Sequence, residues 1–170
     1  MTTIGTSASH GATADRRHWP SLLVSLALVA VVAIIGSSVT DTSPGSWYDE
    51  LIRPSFTPPG WAFGVAWTIL YVLMAVAAWR VHTAPPSPER REALIAYGIQ
   101  LVANLGWTLV FFGLEAPWAG LVVIVGLLVA IAITIVRFAK VDATASALLW
   151  PYAAWVSFAM VLNLAFASMN

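Results

Sequence analysis

The sequence contains no cysteine and few charged residues. Without cysteine the chain has no disulfide, no Cys-ligated zinc, no iron–sulfur cluster and no c-type haem attachment. Charged residues make up 9% of the 170 residues, against about 25% in an average soluble domain. Basic and acidic residues balance at 8 each, so no basic surface indicates a nucleic-acid partner. Hydrophobic residues reach 59%, and this composition predicts an integral membrane protein.

Five long runs of the chain carry no charged side chain. They are residues 21–40, 54–79, 93–114, 116–136 and 143–170. Each reaches the length of about 20 residues that a membrane-spanning helix needs. Lipid offers no partner for backbone N–H and C=O groups, and the runs lack the alternation of a membrane barrel strand, so they are expected to be helices. The sequence therefore predicts an all-α integral membrane bundle of five transmembrane helices.

The predicted bundle occupies residues 19–170 as a single transmembrane domain. Residues 1–18 are rich in Thr, Ser, Ala and Gly, and we expect a mobile tail there. Arg16 and Arg17 before the first run also permit a signal peptide, but the run is long for that purpose. The helices are predicted near 20–40, 61–81, 91–114, 117–138 and 144–167.

Basic residues are distributed unevenly between the two ends of this bundle. With five spans, the tail, the loop between spans 2 and 3 and the loop between spans 4 and 5 share one side. Only Arg53 lies on the opposite side. The positive-inside rule then predicts a cytoplasmic amino terminus and an outer carboxyl terminus. The basic residues of the cytoplasmic side are Arg16, Arg17, Arg80, Arg90, Arg91, Arg137 and Lys140.

Three spans carry rows of aromatic or amide side chains at helical spacing. An indole N–H in hydrocarbon requires a partner, so tryptophans well inside a span are expected to face the bundle interior. The rows permit two interpretations: they pack the bundle, or they enclose a flat apolar ligand with a few polar contacts. On spacing alone the packing interpretation is slightly favoured. The rows are Phe63, Trp67 and Tyr71 in span 2, Gln100, Asn104 and Trp107 in span 3, and Trp155, Ala159, Leu162 and Phe166 in span 5.

Catalytic and metal-ligating residues are missing from the predicted spans. No predicted Ser–His–Asp set or proton relay lies inside the membrane, since the uncharged runs contain neither His nor Asp. The three histidines, His10, His18 and His82, lie in the tail or at a helix end. None lies inside a predicted span, where it could ligate the iron of a buried haem. We therefore predict no metal site and no required cofactor.

Residues 45–71 resemble a known family. The segment reads GSWYDELIRPSFTPPG followed by WAFGVAWTILY, and the pattern W-Y-x-x-L-x-x-P-x-[FW]-x-P-P resembles the translocator protein family. Its bacterial members are called tryptophan-rich sensory proteins. Further matches are Asn104 with Trp107, the WPYAAW segment 150–155, and Leu162 with Asn163. The resemblance covers about residues 20–167 and implies a five-helix bundle in a bacterial cell membrane, with a possible homodimer.

The same resemblance implies a ligand pocket between the helices, closed by the loop between spans 1 and 2. The family's ligands are porphyrins and haem, synthetic aromatic drugs and, in animals, cholesterol. Residues 162–168 match the animal cholesterol motif without its tyrosine and its terminal basic residue, so a cholesterol role is not carried over. Carried over residue by residue, the implied pocket consists of Tyr48, Pro58, Phe63, Trp67, Tyr71, Asn104, Trp107, Trp155, Ala159 and Leu162.

Three functions remain open at this point. The resemblance implies a membrane receptor or carrier that binds protoporphyrin or haem as its ligand, in regulation or tetrapyrrole transport. The alternative is an enzyme that degrades porphyrin by light- or oxygen-dependent oxidation, because the position of Trp67 is tied to protoporphyrin breakdown in some bacterial members. A structural membrane protein without a ligand is the third. Arg53 in the loop is a candidate partner for porphyrin propionates.

Overall fold

The structure is a computed structural model that describes residues 19–170, so the predicted tail at 1–18 lies outside the described residues. Within the described range every regular element is helical, and five helical segments are long and apolar enough to cross a membrane. The predicted fold class is confirmed. The elements are α1 (Trp19–Val39), α2 (Trp47–Glu50), α3 (Gly60–Thr83), α4 (Pro88–Thr108) with a π-helical turn at Leu109–Gly113, α5 (Pro117–Ala139), α6 (Ala143–Ala147) and α7 (Trp150–Met169).

The third span begins earlier than the predicted residue 91. Ser87 caps α4 by accepting a hydrogen bond from the backbone N–H of Arg90 at 3.1 Å, and Pro88 occupies the first turn. Proline is well suited to that position because its missing N–H has no intrahelical partner there. The charged segment 89–92 therefore forms the first turns of the helix rather than the preceding loop.

The fifth span is not the continuous helix predicted over 144–167. It consists of the short α6 and the longer α7, with a break at Leu148 and Leu149. Pro151 explains the break, because a proline inside a continuous helix removes a hydrogen bond and clashes with the preceding turn. Here Pro151 lies in the first turn of a new helix, where it is tolerated.

The helices surround the interior in the order α1, α3, α7, α5, α4. The most extensive contact joins α4 and α5, and α1 packs on α3 while α5 packs on α7. Fully buried alanines, Ala75 and Ala77, give α3 a surface on which neighbouring helices can approach closely. The backbones of α3 and α7 approach each other at few positions. Aromatic side chains lie between these two helices, where Phe63 contacts Trp155 and Trp67 contacts Tyr152.

The two ends of the bundle differ in their contacts. At one end, Arg80 of α3 forms an ion pair with Asp142, the N-cap residue of α6, at 2.8 Å. At the same end Arg137 forms an ion pair with Glu92. The loop between α1 and α3, which includes α2, covers the opposite end. The end with Arg80 and Arg137 is the one that the charge distribution predicts to be cytoplasmic.

Candidate functional site

Asn104 lies at the centre of a group of side chains from α3, α4 and α7. The hydroxyl of Tyr71 donates to Asn104 Oδ1 at 3.2 Å, and Asn104 Nδ2 donates to the hydroxyl of Tyr152 at 3.0 Å. The ring of Trp67 lies beside that of Tyr71, with centroids 5.4 Å apart, and meets Tyr152 edge-on at 6.2 Å. We call these four residues, Trp67, Tyr71, Asn104 and Tyr152, the inner cluster.

The inner cluster connects α3, α4 and α7, whose backbones approach one another at few positions. Asn104 is 1% exposed, and a buried amide is costly unless its atoms are hydrogen-bonded. The hydroxyls of Tyr71 and Tyr152 supply hydrogen bonds to the Asn104 amide. These bonds hold the two tyrosine rings in place between the helices. Trp67 is only half-buried.

Further aromatic side chains extend from the inner cluster toward the loop. Phe63 meets Trp155 edge-on with centroids 5.8 Å apart, and Trp155 contacts Phe158 at 5.7 Å. Trp155 and Phe158 also line, with Pro58, an apolar groove of about 610 Å³ between α3 and α7. The groove is open along one side rather than enclosed. The remaining lining residues are Ala66, Ile69, Leu70, Pro151 and Ala154.

A second aromatic group lies nearer the covered end of the bundle. We call Tyr48, Trp107, Phe111, Leu162 and Phe166 the outer cluster. Trp107 stacks on Phe111 with centroids 5.6 Å apart, and the ring of Tyr48 lies 5.5 Å from that of Phe166. Phe63 packs against this group, and Trp107 also packs against the core that includes Tyr152, so the two clusters adjoin.

Trp107 has the interior partner that its position in the span requires. Its Nε1 donates to Asn163 Oδ1 at 3.1 Å, and Asn163 Nδ2 donates to the carbonyl of Pro117 at 2.8 Å. Gly120 makes this possible, because a Cβ there would lie 3.2 Å from Asn163 Oδ1 and 3.2 Å from Phe111. The arrangement ties α4, α5 and α7 together beside the outer cluster.

The loop between α1 and α3 contributes Tyr48 to the site. Tyr48 is 9% exposed, and its burial raises the pKa of the hydroxyl, although the nearby Arg53 acts in the opposite direction. The guanidinium of Arg53 lies 5.4 Å from the Tyr48 ring centroid and forms an ion pair with Asp49 at 2.6 Å. A cation at this distance is attracted to the ring face. Arg53 is therefore held at the loop end of the site, in contact with solvent.

The ten residues predicted for the pocket do not form one ring. Six of them divide between the inner and outer clusters, and the others lie between the clusters, in the groove or in the packed core. Their places are Trp67, Tyr71 and Asn104 in the inner cluster, Tyr48, Trp107 and Leu162 in the outer cluster, Phe63 and Trp155 between the two, Pro58 in the groove, and Ala159 buried in the core.

Sequence reasoning missed several residues of these clusters. Tyr152 precedes Trp155 by three residues and therefore shares its face, a spacing that was available in the sequence. Phe111 and Phe112 were harder to find, because they lie in the π-helical turn that ends the third span. The Leu114 N–H bonds to the carbonyl of Leu109 at 2.9 Å, and this wider turn lets both neighbouring phenylalanines contact Trp107. Regular α-helical spacing does not predict that both Phe111 and Phe112 contact Trp107.

Residues 25–169 match the sequence model of the TspO/MBR family. The chain belongs to this family. It is 41% identical over 152 residues to "Tryptophan-rich protein TspO" of Chlorobaculum tepidum, which covers 88% of this chain and 96% of that protein. Protein CrtK of Rhodobacter capsulatus is 38% identical, covering 86% and 95%. The human translocator protein is 32% identical over 132 residues, covering 76% of this chain and 78% of the human one.

Membership of the TspO/MBR family confirms the resemblance found in residues 45–71. With its five membrane-spanning helices, the chain is an integral membrane protein of this family. Among residues 19–170, no group of three or more His, Cys, Asp or Glu residues lies together to hold a metal ion. The one histidine in that range, His82, lies near the end of α3, away from both aromatic clusters.

Proposed function

We propose that this TspO/MBR protein is a membrane receptor or carrier for tetrapyrroles, with protoporphyrin or haem as its ligand. The observations that support the proposal are the inner cluster and the apolar groove, which is lined by residues of the same helices α3 and α7. Trp67 there is half-buried, and its ring lies beside those of Tyr71 and Tyr152, whose hydroxyls pair with the Asn104 amide. A flat, aromatic ligand with a few polar atoms matches this combination of side chains.

The physical chemistry of porphyrin binding supports the same proposal. Burying apolar area contributes about 25 cal/mol per Å², and aromatic contacts add about 0.5–1.5 kcal/mol each. Trp67 and Trp155 flank the space between α3 and α7 and are half-buried, so each can present a ring face or edge to the ligand. In this proposal the affinity comes from ring burial and hydrogen bonds, with no iron ligand from the described spans.

The loop end of the site suits the carboxylates of the porphyrin. Propionate groups are charged and favour the headgroup level over the hydrocarbon. Arg53 lies at that end beside Tyr48 and is exposed enough to accept a second anionic partner. We therefore propose that the ring lies between α3 and α7 with its propionates toward Arg53.

The proposal includes the setting of the protein in a bacterial cell membrane. The end with Arg80 and Arg137 faces the cytoplasm, and the loop that carries Arg53 faces outward. A homodimer, as the family resemblance implies, is part of the proposal and is not required for binding by one chain. Sensing and transport of the tetrapyrrole both begin from the same bound state.

The deciding experiment is a titration of the purified protein with protoporphyrin, in the dark and under light. We expect saturable quenching of tryptophan fluorescence in the dark, and recovery of unchanged porphyrin after illumination. No saturable quenching would contradict the proposal and leave packing as the role of the aromatic side chains. A new porphyrin product that forms under light, and that is lost on Trp67→Phe, would establish the degrading enzyme instead.

A further inference from the structure

Gln100 is the polar side chain least explained by the packing of the bundle. It lies on α4 one turn before Asn104 and is 1% exposed. Neither atom of its amide, Nε2 or Oε1, has a hydrogen-bond partner among the described residues. An amide offers two donors and an acceptor, and leaving them unpaired in a protein interior is destabilising.

Tyr97 adds a second unpartnered group on the same face of α4. It lies three residues before Gln100, a spacing that makes two side chains neighbours on a helix. Tyr97 is 3% exposed, and its ring packs beside that of Phe138 at 5.9 Å. Its hydroxyl has no partner among residues 19–170. Two neighbouring side chains on this face of α4 therefore have buried polar atoms without a partner among the described residues.

The neighbourhood indicates what kind of group fits there. The next polar residues along this face belong to the inner cluster, where Asn104, Tyr71 and Tyr152 are all uncharged. Within the described spans, charged side chains occur only in the first two turns or the last turn. A charged ligand at this depth would have no counter-ion and would carry a large desolvation cost. The group must be neutral and able both to donate and to accept.

We propose that Tyr97 and Gln100 form a binding site for a neutral hydrogen-bonding group. The group is either a water molecule or an uncharged polar atom of a ligand bound at the inner cluster. It pairs with the amide of Gln100 and the hydroxyl of Tyr97 and extends the hydrogen-bonded network that Asn104 centres. If a ligand atom occupies the site, the inference rests on the proposed tetrapyrrole function. If a water molecule occupies it, the inference is independent of that function.

The sign of a change in melting temperature tests the site. In ligand-free protein, Gln100→Met and Tyr97→Phe remove polar atoms while keeping an apolar side chain of similar size. If a water pairs with both residues, each variant leaves that water and the other residue underbonded, and we expect the melting temperature to fall by about 3 °C or more. Leu101→Met, at the next position, which is also buried, measures the cost of the methionine itself.

The melting temperature of the double variant, Gln100→Met with Tyr97→Phe, distinguishes a shared water from two independent packing effects. If one water joins Gln100 and Tyr97, the fall in melting temperature for both substitutions together is smaller than the sum of the two single falls. Tyr97→Phe removes one oxygen atom, so it keeps the experiment informative if Gln100→Met fails to fold.

Protoporphyrin separates the two sources of the group. If the ligand supplies it, both variants melt at or above the wild-type temperature without ligand, and the Kd for protoporphyrin rises about tenfold for Gln100→Met but not for Leu101→Met. Unchanged or higher melting temperatures together with an unchanged Kd would overturn the site. If wild-type protein does not bind protoporphyrin, the proposed function fails, and the ligand-free measurements still decide whether the site holds water.

Discussion

The side-chain amide of Asn170 pairs with the backbone of Ile52 in the way that two peptide groups pair. The Ile52 N–H donates to Asn170 Oδ1 at 2.9 Å, and Asn170 Nδ2 donates to the Ile52 carbonyl at 3.3 Å. The same Nδ2 lies 3.0 Å from the carbonyl of Phe166 in α7. One side chain thus ties the loop between α1 and α3 to the end of the fifth span, next to the outer cluster.

Replacing Asn170 with leucine is expected to loosen the loop. Each lost hydrogen bond contributes about 0.5–1.5 kcal/mol, so the opening equilibrium of the segment around Ile52 should rise several-fold. Amide hydrogen exchange measures this directly. Ser168→Ala is the matched control, because Ser168 bonds only to the carbonyl of Ala165 in its own helix. Equal exchange at Ile52 in Asn170→Leu and in wild type would show that the pairing does not hold the loop.

Gly120 is expected to be intolerant of even one added methyl group. A Cβ at this position would press on Asn163 and Phe111, both at 3.2 Å, and strain the bond between Asn163 and Trp107. Overpacking of this kind costs about 1–3 kcal/mol. Gly126 lies on the same helix with nothing within 4 Å of its ideal Cβ, so Gly126→Ala should leave stability unchanged or raise it. Thermal unfolding that ranks Gly120→Ala as high as Gly126→Ala would contradict the close packing of α5 and α7.

The ion pair between Arg80 and Asp142 predicts a loss of stability in acid. Burial alone would raise the pKa of Asp142, but hydrogen bonds from the Ala145 N–H and Arg80 lower it below its ordinary 3.8. A carboxylate with a lowered folded-state pKa stabilises the fold fully above the unfolded value, and this contribution is lost as the pH falls through the folded value. Stability should therefore decline below about pH 4 in wild type.

The variant Asp142→Asn should remove part of this acid dependence. It keeps a capping oxygen for α6 but has no charge to titrate, so its stability at neutral pH should be lower and its decline in acid shallower. Unfolding curves at several pH values provide the measurement. Glu50→Gln, an exposed carboxylate of the loop, is the control. Parallel acid profiles for Asp142→Asn and wild type would exclude Asp142 as the titrating group.

Topology provides a separate prediction from the charges at the bundle ends. Reporter fusions should place the 84–87 turn, between α3 and α4, in the cytoplasm, and Asn170 outside. The ion pair of Arg80 with Asp142 sets the turn between α5 and α6 on the same side as 84–87. Fusions that put both 84–87 and 170 on one side would contradict the five-span arrangement. Fusions that reverse both would keep the fold and overturn the orientation.

The number of spans could be predicted because charge is so costly in lipid that its absence marks each helix. The same criterion misjudged the start of the third span, since the charged residues 89–92 lie inside the first turns of α4. It also passed over the break before α7, because Leu148 and Leu149 are as apolar as the helices around them. In both cases local backbone chemistry at Ser87, Pro88 and Pro151 decided the outcome.

The sequence predicts which helix faces line the candidate site, but it does not predict which side chains contact one another. Helical spacing and the family resemblance identified Trp67, Tyr71 and Asn104, which the structure brings together. The division into two clusters depends on the π-helical turn at Leu109–Gly113 and on side-chain pairs far apart in the chain. The pairing of Ile52 with Asn170 spans 118 positions and leaves no periodic signal in the sequence. Such contacts follow from the packing of the whole bundle.

The central claim is that the inner cluster holds the tetrapyrrole, and the affinity of Trp67→Phe for protoporphyrin tests it most directly. The substitution keeps an aromatic side chain, so the melting temperature should change little, while the Kd should rise about tenfold. Trp118→Phe is the matched control, since Trp118 is 61% exposed at the start of α5 and outside both clusters. The account predicts weakened binding for Trp67→Phe alone. A lower melting temperature with an unchanged Kd in the folded protein would contradict it and make Trp67 a packing residue.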